Sequence, residues 1–449
     1  MPTLPALQSH LQTYLRPLAI RVLAFKERRK TGVVWNPLAS AYQQDPVPTY
    51  EALRERDPVH YSEILRGWVV SRYDDIDAVL RDHKRFSNAS RLTNATTGVP
   101  VDVEIAPSML LVDQPDHTRL RSLVNHAFTP KAVDAIRPRI EAFTDAFIAE
   151  VGEAKRFDLM QAIAVPLPVA VISEMIGIPQ ADRARFKTWS DAVARSLEPT
   201  MSAHELTEAM RAREALRAYF TPLIEDRRAH PQDDLISALV RAEDAGDRLS
   251  HAEVISTLNL LLIAGNETTT NLIGNGMLAL LRHPDALRHL THNSSAQHPE
   301  AIEAAVEEML RFDSPVQTNG RVALEDLTIG GQRIAKGQRV VLLQGAGNHD
   351  PHHVADPDAF DVTRGTNGDA AHGDTHAGAT RGDPGHGDRS HLAFGRGIHH
   401  CLGAPLARLE AQIVFPRILA RWPAIRLAAE PRFRDNVVLR GLTALDVEV

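Results

Sequence analysis

Apolar residues recur along this chain in two rhythms, one near every third or fourth residue and one near every second. From Ala132 to Val240 the helical rhythm dominates, broken at Gly177-Ile178-Pro179. Ser250 and Glu253 form an S-x-x-E capping box, and the helical pattern they open continues to Arg282, before Pro284. At about 1.5 Å per residue such a helix spans roughly 50 Å, enough to cross a large domain. Residues 299–312, PEAIEAAVEEMLRF, predict another helix with Ile302, Ala305, Val306, Met309 and Leu310 facing inward. The strand rhythm is confined to short pieces. Trp68-Val69-Val70 follows Arg66-Gly67, with a helix expected from near Asp74, and TIGGQRIAKGQRVVLL reads as strands joined by glycine turns. Ser87 to Pro100 is polar and reads as a loop. The fold class is mainly α with a smaller β portion.

The first residues need their own reading. Leu7, Leu11, Leu15, Leu18 and Val22 share one helical stripe, followed by Lys26, Arg28, Arg29 and Lys30. A helix lying on a membrane surface carries that signature; a helix packed on the protein body fits as well and is preferred. Arg16, Pro17 and Arg21 interrupt the stripe, which excludes a secretory core or a membrane span. Residues 1–34 are therefore an amphipathic extension. No Gly/Ser/Pro-rich linker divides the first 360 residues, so 35–449 is expected to form a single catalytic domain.

Composition narrows the class. With 43% hydrophobic residues in 449, the chain can bury a large core. A net charge of −7 gives no sign of a nucleic-acid binder. One cysteine excludes an intrachain disulfide and suits a reducing, cytoplasmic setting.

That cysteine, Cys401, lies in His391–Leu406, HLAFGRGIHHCLGAPL. A small buried hydrophobe is the ordinary role of a lone cysteine. Here Gly395, Gly397 and Gly403 let the backbone bend and approach a flat partner. Cys401 also sits where loop becomes helix, so free N–H groups and the helix dipole are expected to lower its pKa and hold a thiolate. A single thiolate excludes an iron–sulfur cluster or cysteine zinc site but suits an axial haem ligand. A second polar island, Ala264-Gly265-Asn266-Glu267-Thr268-Thr269, interrupts the apolar middle of the Ser250 helix. It is either a solvated face or a functional one, since a buried carboxylate is costly without a purpose.

FGRGIHHCLG resembles the haem-binding loop of the cytochrome P-450 monooxygenases, and the resemblance extends from about Trp35 to the C-terminus. It implies that Cys401 is the haem iron's axial ligand, with Phe394, Gly395, His399 and Gly403 lining the cofactor. DQPDHTRLRSLVNHAFTP is similar to the family's helix whose His and Arg, here His117 and Arg121, grip a haem propionate; Arg321 matches a further propionate ligand. Glu267 and Thr268 would manage protons at dioxygen, while Ala264 and Gly265 make room for dioxygen and substrate. Glu308 and Arg311 alone are an ordinary i,i+3 pair worth about 0.3 kcal/mol. With Arg364 they resemble the network bracing the cysteine loop. The segment from about Arg183 to Glu208 corresponds to mobile helices over the substrate channel, and Val316 and Gln317 are expected on the substrate side.

The resemblance implies haem b, dioxygen as cosubstrate and electrons derived from NAD(P)H through a ferredoxin or flavodoxin with its reductase. The implied activity is hydroxylation or epoxidation of a hydrophobic small molecule by a monomer without a membrane span. Arg396, His400 and Arg119 are expected to meet an acidic redox partner. A peroxide-driven peroxygenase and a non-catalytic haem sensor are the rivals. One departure stands out: 25 residues, Gly365 to Arg389, separate Arg364 from the cysteine loop. Their Gly/Asp/His-rich composition reads as an inserted loop, inert in preference to a metal tract of His372, His376 and His386 or a loop modulating redox-partner docking.

Overall fold

The computed structural model describes residues 20–89, 108–199, 201–244, 249–293, 299–364 and 391–449. The stripe from Leu7 to Leu18, most of the polar loop 87–100 and the insert with His372, His376 and His386 lie outside the described residues.

The capped helix expected at Ser250 runs His251–Arg282 and is the axis of the helical part. Its start follows from reciprocal hydrogen bonds: Glu253 N donates to Ser250 Oγ at 3.3 Å, and Ser250 N donates to Glu253 Oε2 at 2.8 Å. The helix is buried nearly all round, as a helix without a polar face must be. Pro166–Ile176, Arg183–Ala194, Pro299–Phe312 and Ala404–Arg421 pack around it. Gly276 permits a close approach, since a Cβ there would lie 2.8 Å from both Met309 Sδ and Phe415 Cζ. Ile302, Ala305, Val306, Met309 and Leu310 are all buried, as their spacing predicts.

Gly177 ends the helix Pro166–Ile176 in the left-handed region at φ 94°. Helix Arg183–Ala194, a short 3-10 turn Arg195–Leu197 and the long helix Ala203–Ala229 follow. The β portion is led by a five-stranded sheet in the order Val59–Ser62, Gly67–Val70, Arg339–Leu343, Thr318–Ala323, Phe86–Ser87. Gly67–Val70 pairs with Arg339–Leu343 in parallel, and the other neighbours are antiparallel.

The helix ending at Thr31 is held to the body through Glu27. That buried carboxylate accepts from Trp35 N at 3.2 Å, Ser62 Oγ at 3.1 Å and Ile64 N at 3.2 Å. The described part of the N-terminal segment is thus packed on the sheet. Among the described residues, no helix is long and apolar enough to cross a membrane.

Candidate functional site: the cysteine loop and its cavity

Cys401 stands at the end of a loop built by backbone bonds. Gly395 N donates to Leu392 O, and Cys401 N donates to Phe394 O, both at 2.9 Å. The loop turns through Gly395 at φ 66° and Gly397 at φ 69°. At Gly397 a Cβ would come within 2.6 Å of Leu80 O, so glycine is required there for space as well as conformation. Helix Ala404–Arg421 begins three residues after Cys401, with Pro405 in its first turn.

A second clamp holds the loop, and sequence reasoning missed it. Glu307 receives Arg408 Nε at 2.6 Å and Arg408 Nη2 at 2.9 Å, while His391 Nε2 lies 3.1 Å away. These contacts draw its carboxyl well below the usual carboxylate range despite burial. The Arg408 guanidinium also covers the Phe394 ring, 4.6 Å from its centroid. The only sequence signal was a second glutamate beside Glu308.

The expected Glu308 network is present. Arg311 donates to both Glu308 oxygens at 2.7 and 2.8 Å, and Arg364 Nε donates to Oε2 at 3.2 Å. Arg311 further donates to the carbonyls of Asn348, Pro357 and Ala359, so it ties the helix to the segment leading toward Arg364.

Cys401, Phe394, Gly395, His399 and Gly403 line a cavity of about 1050 Å³. Its wall also includes Ala264, Gly265, Thr268, His117, Arg121 and Arg321, so residues far apart in sequence converge on one space. The Cys401 side chain is open to this space. Burial pushes its thiol pKa up, against the expectation of a lowered one. The anticipated opposing influences exist: N–H groups of Gly403 and Ala404, and the charges of Arg121 and Arg408. Withdrawal of the sulfur from bulk water into this recess outweighs them.

A cluster of cationic and donor groups lies on the same cavity. His117 and His399 rings meet at 4.2 Å between centroids, and Arg121 Nη1 donates to Ile398 O at 3.1 Å. Burial, followed by the neighbouring His117 and Arg321, drives His399 down to about 3. Burial likewise lowers Arg321 to about 10. His117 Nδ1 is buried and has no hydrogen-bond partner among the described residues. Asp113, the acid whose charge reaches this cluster, is engaged by Ser87 Oγ and by Asn88 N.

On the central helix, Thr268 Oγ donates to Ala264 O at 2.7 Å, which leaves its oxygen lone pairs to the cavity. Glu267 is buried on another face of that helix. It pairs with Arg434 and lies 3.8 Å from Lys187 Nζ, which in turn contacts Asp191. Burial raises its pKa, with Arg434 and Lys187 opposing that shift. Gly265 meets the cavity, but a Cβ there would first press on Ile172 at 3.1 Å. Its small size therefore serves helix packing as well as space.

One expectation needs correction. Val316 lines the cavity, but Gln317 does not: it accepts from Tyr50 Oη and donates to Ser314 O at 2.7 Å. Arg119, expected to face a partner, is bound to Glu253 Oε1 at 2.6 Å and to Asp116 at 3.1 Å. Arg396 is similarly engaged, with Tyr73 Oη at 3.2 Å and Asp77 at 3.4 Å.

The family model for cytochrome P-450 matches residues 66–425. Polyketide biosynthesis cytochrome P-450 PksS of Bacillus subtilis (strain 168) is 38% identical over 432 residues, covering 93% of this chain and 99% of that protein. The 6-deoxyerythronolide B hydroxylase of Saccharopolyspora erythraea is 36% identical over 426 residues, covering 92% and 98%. Among solved structures, P-450BioI in complex with hexadec-9Z-enoic acid ligated acyl carrier protein superposes with a TM-score of 0.80 at 36% identity, covering 92% of this chain and 100% of that one. The chain belongs to the cytochrome P-450 family and is a monooxygenase of that family.

The family implies a haem, and the residues present fit one. A sulfur on the cavity wall supplies an iron ligand, and an orphaned His117 Nδ1 among partly buried arginines supplies donors for carboxylates. A cavity of about 1050 Å³ lies at the upper end of small-molecule sites, consistent with cofactor and substrate together.

Proposed function

We propose that this cytochrome P-450 is a haem-b-dependent enzyme that hydroxylates or epoxidises a hydrophobic small organic molecule, with electrons from a separate protein. The observation that carries the reading is the convergence of Cys401, the His117–Arg121–Arg321–His399 cluster and Thr268 on one cavity. When bound, the haem supplies reductive activation of dioxygen, in which two electrons and two protons accompany one oxygen atom into substrate and the other into water.

Cys401 Sγ would hold the iron as the thiolate, steadied by the N–H groups of Gly403 and Ala404. His117, Arg121, Arg321 and His399, which line the same cavity, would hold the cofactor's carboxylates. Glu267, whose pKa is raised by burial, holds a proton more readily than an exposed glutamate and connects through Lys187 to the half-exposed Asp191. Thr268 donates its own proton to Ala264 O and turns its oxygen to the cavity, where it can accept a hydrogen bond from a water or other donor in that space. The clamps at Glu307 and Glu308 hold the cysteine loop and the segment toward Arg364 so that the sulfur keeps its place.

The reducing partner is a ferredoxin or flavodoxin served by an NAD(P)H-dependent reductase, and the enzyme works in the cytoplasm as a monomer. Residues 35–449 act as one catalytic domain. The retained Glu267 and Thr268 disfavour both a peroxygenase and a non-catalytic sensor. Turnover with NADH, ferredoxin and reductase in the presence of catalase tests this: product must persist. Product that disappears with catalase and returns with hydrogen peroxide alone would establish the peroxygenase instead.

A further inference from the structure

The wall of the cavity formed by helix Ala203–Ala229 carries a cation that the proposed chemistry does not use. Arg213 lines the cavity and is half-buried, and burial alone lowers its pKa, with no neighbouring charge in opposition. Its Nη2 donates to Ser196 Oγ at 3.0 Å, and Ser196 gives its own proton to Val193 O at 2.6 Å. Ser196 is thus fixed as an acceptor that aims the guanidinium.

Glu198, Glu214 and Glu205, acids on the surrounding segments, are engaged elsewhere. Glu198 is buried and accepts from Val437 N at 2.7 Å and from Val438 N and Leu439 N at 3.0 Å. Glu214 receives Arg217 Nε at 2.9 Å, and Glu205 receives Arg195 Nε at 2.9 Å. Among the described residues no carboxylate pairs with Arg213. A guanidinium taken partly out of water without a counterion is costly, and a bound anion offsets that cost. Ser196 and the mutually paired Glu214 and Arg217 line the same cavity, and the rest of this wall includes the apolar Val193, Leu197, Val438 and Leu439.

We propose that Arg213 is the anion-binding end of the substrate site, and that the substrate class is a lipophilic carboxylic acid. Its carboxylate is held by the Arg213 fork, and its hydrocarbon part lies along the apolar wall. This deepens the reading of the cavity as the place of monooxygenation and rests on it.

The test is calorimetric binding to the haem-loaded full chain of straight-chain acids, from decanoic through octadecanoic, each beside its own methyl ester. The native protein should bind the best acid at least about tenfold more tightly than its ester, as expected for a hydrogen bond to a charged group. Arg213→Ala should bring that ratio close to one while leaving ester affinity unchanged, and Arg213→Lys should restore part of it. An acid no tighter than its ester, a ratio unaltered by Arg213→Ala, or no binding of either series would each overturn the assignment. The reduced carbon monoxide spectrum, recorded on the same samples, separates this from failure of the underlying reading. A thiolate-type spectrum with no acid preference sinks the substrate class alone.

Discussion

Glu307 and Arg408 form a two-point ion pair, with Nε to Oε1 at 2.6 Å and Nη2 to Oε2 at 2.9 Å, that joins the helix Pro299–Phe312 to the helix following Cys401. Removing one member leaves the other charge largely buried. Glu307→Ala should therefore destabilise the protein by about 3–5 kcal/mol, read from denaturant midpoints. The pH dependence has a definite sign. The folded pKa of Glu307 is depressed, so its contribution is present above the unfolded carboxylate value and is lost as pH falls through the folded one. Native protein should keep this contribution into mild acid, and the variant should show a shallower acid loss. Equal acid profiles would contradict the assignment.

Glu267 and Thr268 are separable in their effects. Thr268→Ala should leave substrate affinity within about twofold but lower product per electron consumed, with peroxide released in its place; loss of a proton-transfer group costs about 10²-fold or more in the step it serves. Glu267→Gln should slow turnover by a similar factor and weaken its dependence on pH. Stoichiometry of NADH, peroxide and product checks both. Unchanged product yield in Thr268→Ala would remove the proton role and revive a non-catalytic one.

Glu410 lies wholly inside the helix after the cysteine loop, and one of its oxygens, Oε2, has no partner among the described residues. Burial raises its pKa well above the ordinary value. A raised folded pKa means the stability is complete below the unfolded pKa and declines as pH rises through the folded one. Glu410→Gln should flatten that decline: its urea midpoint should change less than the native one between about pH 5 and about pH 8. A native midpoint that rises over this interval because of Glu410 would contradict the buried, protonated form.

The parts legible in the sequence were those encoded locally. The capping box at Ser250 and Glu253, the helix bearing Glu308 and Arg311, and the glycine-bounded cysteine loop each depend on residues a few positions apart. What the sequence concealed depends on long-range contacts. Arg434 reaches Glu267 across 167 positions, and Arg119 finds Glu253 across 134. The Cys401 thiol shows the same limit in energetic form: a helix start announces its N–H groups, whereas the depth of burial that outweighs them appears only once the chain is folded. Gln317 shows the same limit, since its partner Tyr50 lies 267 positions away.

The central claim is that Cys401 ligates a haem iron through sulfur, and the most direct measurement is the visible spectrum of the reduced protein under carbon monoxide, native and Cys401→Ser. The account predicts a strongly red-shifted Soret band in the native protein that is absent in the variant. A histidine-type carbonyl spectrum in folded native protein, or the same red-shifted band in Cys401→Ser, would contradict it.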